Sequence, residues 1–155
     1  MTNKTIKLLN DVDIPIVGFG TWLIENEHVS QAVQNAIECG YRHIDTAQNY
    51  KNEEGVGEGI RLSKINRQDL FITTKVRARH KDYETALKSI DESLNKLQLD
   101  DVDLILIHDV KVWEERDKDY RFEKENREVW KALEKAYQDK KVKAIGVSNF
   151  EIIDL

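Results

Sequence analysis

The chain has 155 residues, of which 40% are hydrophobic and 34% charged, and its formal net charge is -5. This is the size and composition of one globular domain. Because the net charge is negative and no basic block is present, nucleic acid and anionic membranes are poor partners. No run of about 18 apolar residues and no signal-peptide core is visible, so we predict a cytoplasmic protein. The single cysteine, Cys39, is expected to be a buried hydrophobe.

The first part of the chain predicts a β-hairpin and then a strand. Two short apolar runs flank a polar turn, so we expect a hairpin over residues 5–17. Residues 17–22 predict a buried strand, in which Gly18 and Gly20 allow another backbone or a ligand to come close.

From residue 28 onward, helices and strands alternate. Apolar residues recur at helical spacing in four segments, and short aliphatic runs lie between them. Gly40 ends the first helix at a left-handed cap position. The predicted helices are residues 28–39, 53–62, 83–97 and 127–138, and the predicted strands are residues 41–45, 70–75, 102–107 and 142–147.

This alternation, with mostly short connections, favours a parallel sheet built from right-handed βαβ units. The continuously aliphatic strand at 102–107 suits a sheet that is covered on both faces. The count of strands and helices fits either an open doubly wound sheet or part of a closed barrel, and the periodicity does not choose between them. The charged segment 111–126 is predicted to be a solvated loop, although a connection of this length is often functional.

Polar residues follow the ends of three neighbouring predicted strands. Asp45 and Tyr50 follow one strand, Lys75 closes the next, and His108 follows the third. Because parallel strands end at one face, we expect these four side chains to converge. Each residue alone has an ordinary explanation, such as a turn aspartate, an aromatic, a surface lysine or a core histidine. Their position at successive strand ends favours a site.

The four residue types suit the reduction of a carbonyl group. The ammonium of Lys75 at the tip of a buried strand needs a counter-ion, which Asp45 can supply. A cation beside a phenol makes the phenol a better proton donor to an oxygen that gains negative charge, which gives Tyr50 a role. A neutral imidazole can donate a hydrogen bond to the same oxygen, and the hydride would come from a cofactor.

Other motifs carry less information. Gly55, Gly57 and Gly59 have GxGxG spacing and do not directly follow a strand, so we interpret them as the opening of a helix rather than a dinucleotide fingerprint. The four histidines do not have metal-ligand spacing, and we expect no metal site.

Five segments together resemble motifs of the aldo-keto reductases, in order from about residue 5 to residue 155. The family has a (β/α)8 barrel whose bottom is closed by an N-terminal hairpin, and it reduces aldehydes and ketones with NADPH. The segments are 18–22 (Gly-Phe-Gly-Thr-Trp), 40–47 with Tyr50, Asn52 and Glu53, then 74–75 (Thr-Lys), 106–108 (Leu-Ile-His) and 145–150 (Ile-Gly-Val-Ser-Asn-Phe).

The resemblance implies a role for each matching residue. Tyr50 would be the general acid, Lys75 the group that makes its proton easier to lose, Asp45 the partner of Lys75, and His108 the residue that orients the carbonyl. Ser148 and Asn149 would hold the nicotinamide carboxamide. The resemblance also implies that Trp22 lines the substrate pocket and that Trp113 lies in a loop over its mouth.

The chain departs from the family pattern in two places. Asp109 and Val110 follow the histidine where the family commonly has Trp-Pro, which affects the shape of the substrate loop. The sequence also stops after the fifth strand, whereas a closed barrel needs eight. We therefore expect residues 1–155 to form a partial barrel domain, with a hairpin at 5–17 and βα units at 17–155. Segments for the cofactor pyrophosphate and 2'-phosphate have no counterpart.

Two functions from different classes follow from these expectations. The first is an NADPH-dependent reductase of small carbonyl compounds, or the catalytic half of one. The second is a non-catalytic fragment that serves as an assembly or interaction module. A third interpretation, an unrelated open sheet that binds a nucleotide, requires the five motifs to be accidental. Exposed barrel edges would favour self-association in either of the first two cases.

Overall fold

A computed structural model describes residues 4–115, 117 and 119–155 of the chain. The two first strands, β1 (Thr5–Lys7) and β2 (Asp13–Pro15), pair antiparallel with Ile6 opposite Ile14. The hairpin expected at the N-terminus is therefore present. Its turn reaches across the sheet, because Asn10 Nδ2 donates a hydrogen bond to the Lys143 carbonyl at 2.8 Å. The hairpin thus covers the amino end of the sheet.

Five parallel strands form the sheet in chain order, from β3 to β7, and a helix follows each of the first four. In this order the helices cover one face of the sheet, and the other face lines the interior of a barrel segment. The strands are β3 (Phe19–Gly20), β4 (His43–Asp45), β5 (Phe71–Val76), β6 (Val102–Ile107) and β7 (Val142–Val147), and the helices are α1 (Asn26–Glu38), α2 (Glu53–Leu62), α3 (Tyr83–Leu97) and α4 (Glu123–Gln138).

The core lies between the sheet and the helices. Side chains alternate along β5, so that Ile72 and Val76, both fully buried, point to the helices while Thr73 and Lys75 lie on the other face. The apolar face of α3 covers this side with Ala86, Ile90 and Leu97, which are at most 1% exposed. The result is a dry layer behind the strands and a polar face on the inside of the barrel segment.

The helix α3 shows how local sequence sets an element. Asp82 is its N-cap, and the Asp82 carboxylate accepts a hydrogen bond from the Thr85 N–H at 2.8 Å. The helix ends at Gln98, which takes a left-handed backbone conformation with φ of 55°. The bounds predicted for α2, α3, β6 and β7 coincide with those observed.

Two predicted elements differ most from the structure, while the observed bounds of α1, β4 and β5 lie within two residues of the predicted ones. The strand expected at 17–22 pairs only over Phe19–Gly20, and Val17 is 49% exposed, because β3 is an edge strand with one neighbour among the described residues. The helix α4 begins at Glu123, four residues earlier than predicted, inside the segment expected to be a loop. The charge density of that segment hid its first helical turn.

The expectation that Cys39 is buried was wrong. The residue is exposed at the C-terminal end of α1. The buried stripe of α1 includes Ile37, and two residues further on the helix has turned by about 200°, which puts Cys39 on the solvent side.

The glycines of α2 let three helices pack closely. A Cβ at Gly57 would lie 2.6 Å from the Leu97 carbonyl carbon of α3, and one at Gly59 would lie 2.6 Å from the Ser30 carbonyl oxygen of α1. A Cβ at Gly55 would overlap the Asn26 carbonyl. The GxGxG spacing therefore serves helix packing, in agreement with its interpretation as part of a helix.

We predict that Gly57→Ala destabilises the fold by about 1–3 kcal/mol, because backbone atoms of Leu97 would have to move. This value is a net effect, because the strain also offsets the gain of about 1 kcal/mol that alanine brings to a helix interior. Urea unfolding would measure the difference.

The neighbouring exposed residue of the same helix provides the control for this measurement. Glu58→Ala should change the free energy of unfolding by no more than about 0.5 kcal/mol. A Gly57→Ala protein as stable as Glu58→Ala would contradict the packing argument.

Candidate active site

The ammonium of Lys75 is the centre of a polar cluster at the carboxyl ends of the strands. Lys75 is only 7% exposed, and its Nζ lies 2.5 Å from Asp45 Oδ1 and 3.0 Å from the Thr46 carbonyl. The same Nζ lies 3.3 Å from Tyr50 Oη. Asp45 and Lys75 reach each other because β4 and β5 are neighbours and Asp45 pairs with Thr73. One counter-ion and two neutral oxygens thus surround the buried charge, as its desolvation requires.

The structure brings Tyr50 and His108 together beside this ammonium. Their rings meet edge to face, with centroids 5.6 Å apart, and Lys75 Nζ lies 5.0 Å from the Tyr50 ring centroid. His108 follows β6, and its backbone N–H donates a hydrogen bond to the Val76 carbonyl of β5 at 3.1 Å. All four residues expected to carry chemistry therefore lie in one cluster, although the chain separates them.

Ser148 and Asn149 lie directly beside His108, at the end of β7. The Ser148 N–H donates to the Ile107 carbonyl at 2.9 Å, and Asn149 Nδ2 donates to the His108 carbonyl at 2.8 Å. Asn149 takes a left-handed conformation with φ of 59°, which suits asparagine. A hydroxyl and an amide at this position can both donate and accept hydrogen bonds. They are chemically suited to a carboxamide, which needs one partner of each kind.

The two tryptophans predicted for the pocket differ in what can be said of them. Trp22 follows Thr21, whose N–H donates to the Asp45 carbonyl at 2.9 Å, so it lies near the cluster. Its side chain is 67% exposed, so the described residues do not close around it. The side chain of Trp113 lies outside the described part of the chain.

His43 lies deeper on the same inner face, as a packed residue. Its ring meets Phe71 edge to face at 5.0 Å, and its Nε2 lies 2.9 Å from Thr73 Oγ1. Burial lowers the pKa of His43, and the negative charge of Asp45 opposes this effect. The histidine is therefore neutral near pH 7, and it packs against Phe71 and Thr73 of β5 below the cluster.

Sequence reasoning missed the residue that holds the segment after His108. Lys81 Nζ donates to the Val110 carbonyl at 2.9 Å and to Asn126 Oδ1 at 2.5 Å, and Asn126 Nδ2 donates to the same carbonyl at 2.9 Å. We call Lys81, Val110 and Asn126 the lysine clasp. It joins the β5–α3 connection to α4 and fixes the Asp109–Val110 segment that departs from the family pattern.

The lysine of this clasp, Lys81, has a lowered pKa. Burial lowers the pKa of Lys81 to about 8, while the nearby carboxylates of Asp109 and Glu125 oppose the shift. No pattern in the sequence indicated this, because a lysine before a helix is ordinarily solvated.

We expect the contribution of Lys81 to stability to increase with pH. Its folded pKa of about 8 lies below the ordinary lysine value of 10.5, so between these pH values the unfolded state binds more protons and stability rises. Because the amine is partly exposed, the expected gain relative to Lys81→Met is on the order of 1 kcal/mol. Urea unfolding of both proteins near pH 7 and near pH 10 would measure it.

A second lysine, Lys135, serves as the control, because its contribution to stability should change with pH in the opposite direction. A hydrogen bond to Asp139 raises the pKa of Lys135, so its contribution is present at neutral pH and is lost as the pH rises through the folded pKa. If the Lys81 contribution stayed constant or fell with pH, burial would not control its ionisation.

The fold and the cluster together define a class. A parallel sheet in sequential order, a hairpin across its amino end and an Asp-Lys-Tyr-His cluster at its carboxyl end are features of a (β/α) barrel protein with a polar site at the carboxyl face of the sheet. The sequence model of the aldo/keto reductase family matches residues 16–155, and the chain belongs to this family.

Related proteins of known sequence extend this finding. The chain is 48% identical to the glyoxal reductase of Bacillus subtilis over 149 residues, which is 96% of this chain and 50% of that protein. It is 41% identical to the methylglyoxal reductase DkgA of Escherichia coli over 153 residues, covering 98% of this chain and 52% of that protein. The chain spans about half the length of the curated relatives it matches.

Solved structures give the same picture for the fold. An aldo/keto reductase from Brucella melitensis matches with a TM-score of 0.90 and 44% identity, over 100% of this chain and 56% of that one. A Bombyx mori aldo-keto reductase in complex with NADP matches with a TM-score of 0.86 and 35% identity, over 99% of this chain and 53% of that one. The five-stranded sheet is thus part of a (β/α)8 barrel, as expected. Every helix in the described part of the chain is too short or too polar to span a lipid bilayer.

Proposed function

We propose that the chain carries the proton-donor half of an NADPH-dependent reductase that converts aldehydes or ketones to alcohols. The observation that supports this most directly is the hydrogen-bonded series Asp45, Lys75 and Tyr50, with the His108 ring against Tyr50. Burying a lysine that is 7% exposed between a carboxylate and a phenol costs desolvation free energy. A role in acid catalysis at the phenol accounts for a lysine at this position.

In this proposal Tyr50 transfers its phenolic proton to the carbonyl oxygen. NADPH, when bound, supplies the hydride to the carbonyl carbon. The positive charge of Lys75 stabilises the phenolate that remains on Tyr50, and Asp45 keeps that charge in place. His108 donates a hydrogen bond that orients the carbonyl oxygen toward Tyr50.

Ser148 and Asn149 would hold the nicotinamide carboxamide, and Trp22 and Trp113 would line the substrate pocket. The donor and acceptor groups beside His108 support the first assignment. The substrates proposed are small reactive aldehydes, because two relatives are named glyoxal reductase and methylglyoxal reductase. The neighbour in complex with NADP supports NADPH as the reductant. A cytoplasmic location is part of the proposal, since the exposed free thiol of Cys39 suits a reducing compartment.

We predict that Tyr50→Phe lowers kcat for a small aldehyde by about 10²–10⁴-fold, because only the proton donor is lost. The affinity for NADPH should stay nearly unchanged. Aldehyde-dependent oxidation of NADPH measures the rate, and quenching of tryptophan fluorescence by NADPH measures binding. The same titration with NADH tests the choice of cofactor.

Tyr137→Phe is the matched control, because Tyr137 is an exposed tyrosine on α4 and should keep both rate and affinity. A Tyr50→Phe protein with full turnover would remove Tyr50 from the mechanism. Absence of NADPH binding by the 155-residue chain would show that this chain lacks a hydride source and would leave the second candidate function.

The second candidate is an assembly module in which residues 1–155 act as one barrel domain. The supporting observation is that β3 and β7 each have only one neighbouring strand among the described residues. Unpaired strand edges favour pairing with another chain. Beside β7 lies a groove of about 560 Å³ with exposed apolar side chains at Ile153 and Leu155. We propose that copies of the chain associate through these edges.

We predict that light scattering gives a mass above the 18.1 kDa of one chain at micromolar concentration. Ile153→Lys should shift the mass toward that of one chain, because it places a charge in the groove beside β7. Leu62→Lys is the control, since Leu62 is exposed on the central helix α2 and should leave the mass unchanged. A wild-type mass of one chain throughout this range would contradict self-association.

A further inference from the structure

We propose that Gln48 is a positioning residue, whose buried side chain holds Tyr50 in register with Lys75. This inference rests on the proposed function and adds a residue to it that touches neither substrate nor cofactor. It starts from the short turn that carries Tyr50, because that turn has few bonds of its own.

The turn Gln48–Tyr50 is a single 3-10 turn between β4 and α2. Its closing bond runs from the Tyr50 N–H to the Ala47 carbonyl at 2.9 Å, and the chain then reverses at Lys51 with φ of 57°. A 3-10 turn has poorer hydrogen-bond geometry than an α-helix, and a single turn closes few bonds of its own. The position of Tyr50 therefore depends on contacts that the turn makes with its surroundings.

The Gln48 side chain makes most of these contacts on one side. Gln48 is 4% exposed, and its Nε2 donates to the Ser89 carbonyl and to Ser93 Oγ, each at 3.0 Å, with Ser89 Oγ at 3.1 Å. These bonds tie the turn to the buried face of α3. A buried amide with this many partners is expensive to disturb, because any partner left alone loses its hydrogen bond.

The opposite end of the Gln48 amide reaches the strand of Lys75. Gln48 Oε1 accepts a hydrogen bond from the Arg77 N–H at 3.0 Å, and the Gln48 carbonyl accepts one from the Arg77 guanidinium at 2.9 Å. Arg77 lies two residues after Lys75 and directly follows β5. Gln48 therefore joins the turn of Tyr50 to the end of the strand that carries Lys75.

A second buried amide, Asn52, holds the other side of the turn, and its Oδ1 accepts a hydrogen bond from Thr46 Oγ1 at 3.0 Å. Asn52 is fully buried, and its Nδ2 donates to the carbonyls of Thr21 at 2.8 Å and Ile24 at 2.9 Å. Asn52 thus ties the turn to the loop that contains Trp22. Of these two amides, Gln48 is the one whose side chain bonds directly to the residue that follows the Lys75 strand, whereas Asn52 reaches Lys75 only through Thr46.

The distance from Lys75 Nζ to Tyr50 Oη makes this connection important. At 3.3 Å it is already at the long end for a hydrogen bond, so a small movement of the turn would separate the two groups. A misplacement of about 1 Å at a catalytic group can lower a rate by about 10²-fold. Loss of the Gln48 bonds should therefore impair the proton step and leave the binding of substrate unchanged.

The test compares Gln48→Met, which keeps the length and removes the hydrogen bonds, with Gln48→Glu, which keeps the acceptor for Arg77 and loses the Nε2 donor. Gln31→Met is the control, because Gln31 is exposed on α1. We expect Gln48→Met to lower kcat for a small aldehyde by about 10–10²-fold with KM within a factor of about two. Gln48→Glu should fall between Gln48→Met and the wild type, and the control should match the wild type.

A second readout needs neither cofactor nor turnover. The ring contact between Tyr50 and His108 gives a nuclear Overhauser effect in the 13C-labelled chain, and it should weaken in Gln48→Met while persisting in Gln31→Met. A role in overall stability alone would leave this contact unchanged in the folded protein. If Gln48→Met does not fold, Ser93→Ala removes one of the same bonds and should weaken the same signal.

The two readouts separate failure of this inference from failure of the proposed function. If the wild-type chain shows no turnover, the proposed function fails for this chain, and the ring contact still decides the role of Gln48. If the folded Gln48→Met or Ser93→Ala protein keeps both the ring contact and, where turnover exists, the wild-type kcat, Gln48 does not position Tyr50.

Discussion

The buried ammonium of Lys75 sets the requirements that the rest of the site meets. A charge that is 7% exposed needs a counter-ion and further acceptors within hydrogen-bonding distance. The parallel register of β4 and β5 provides them, because it brings Asp45 and the Thr46 carbonyl to the tip of the neighbouring strand. The order of strands is thus part of the chemistry, since a sheet with β4 and β5 apart would leave the lysine unpaired.

Behind the strands, a layer of buried polar side chains continues the order of the site into the helices. Glu53 begins α2 and accepts a hydrogen bond from Thr74 Oγ1 of β5 at 2.7 Å. Burial raises the pKa of Glu53, and hydrogen bonds from Thr74 and Ser93 oppose the shift. Ser93 also accepts from Gln48, so one serine of α3 serves both the carboxyl of α2 and the turn of Tyr50. The hydrogen bonds among Glu53, Thr74 and Ser93 behind the strands thus connect to the turn that carries Tyr50.

Much of the fold could be predicted because its elements end at local signals. The helix α3 lies between the cap Asp82 and the left-handed Gln98, and its predicted bounds coincide with those observed. The four polar residues at strand ends could also be predicted, since a parallel sheet brings strand ends to one face. The shortened β3 could not, because its length depends on its position at the edge of the sheet. The neighbouring sequence does not predict the roles of Gln48 and Lys81. Their hydrogen-bond partners Ser89 and Asn126 lie 41 and 45 residues away in the chain.

The hydrogen bond from Asn10 to Lys143 spans 133 residues of chain, whereas each strand of the sheet pairs with its neighbour in sequence. Closing a loop of that length costs more conformational entropy than pairing adjacent strands, and topology of this kind slows folding. The five-stranded sheet can form by successive local steps as each βα unit is added. The N-terminal hairpin, although it is made first, gains this contact only after β7 has joined the sheet.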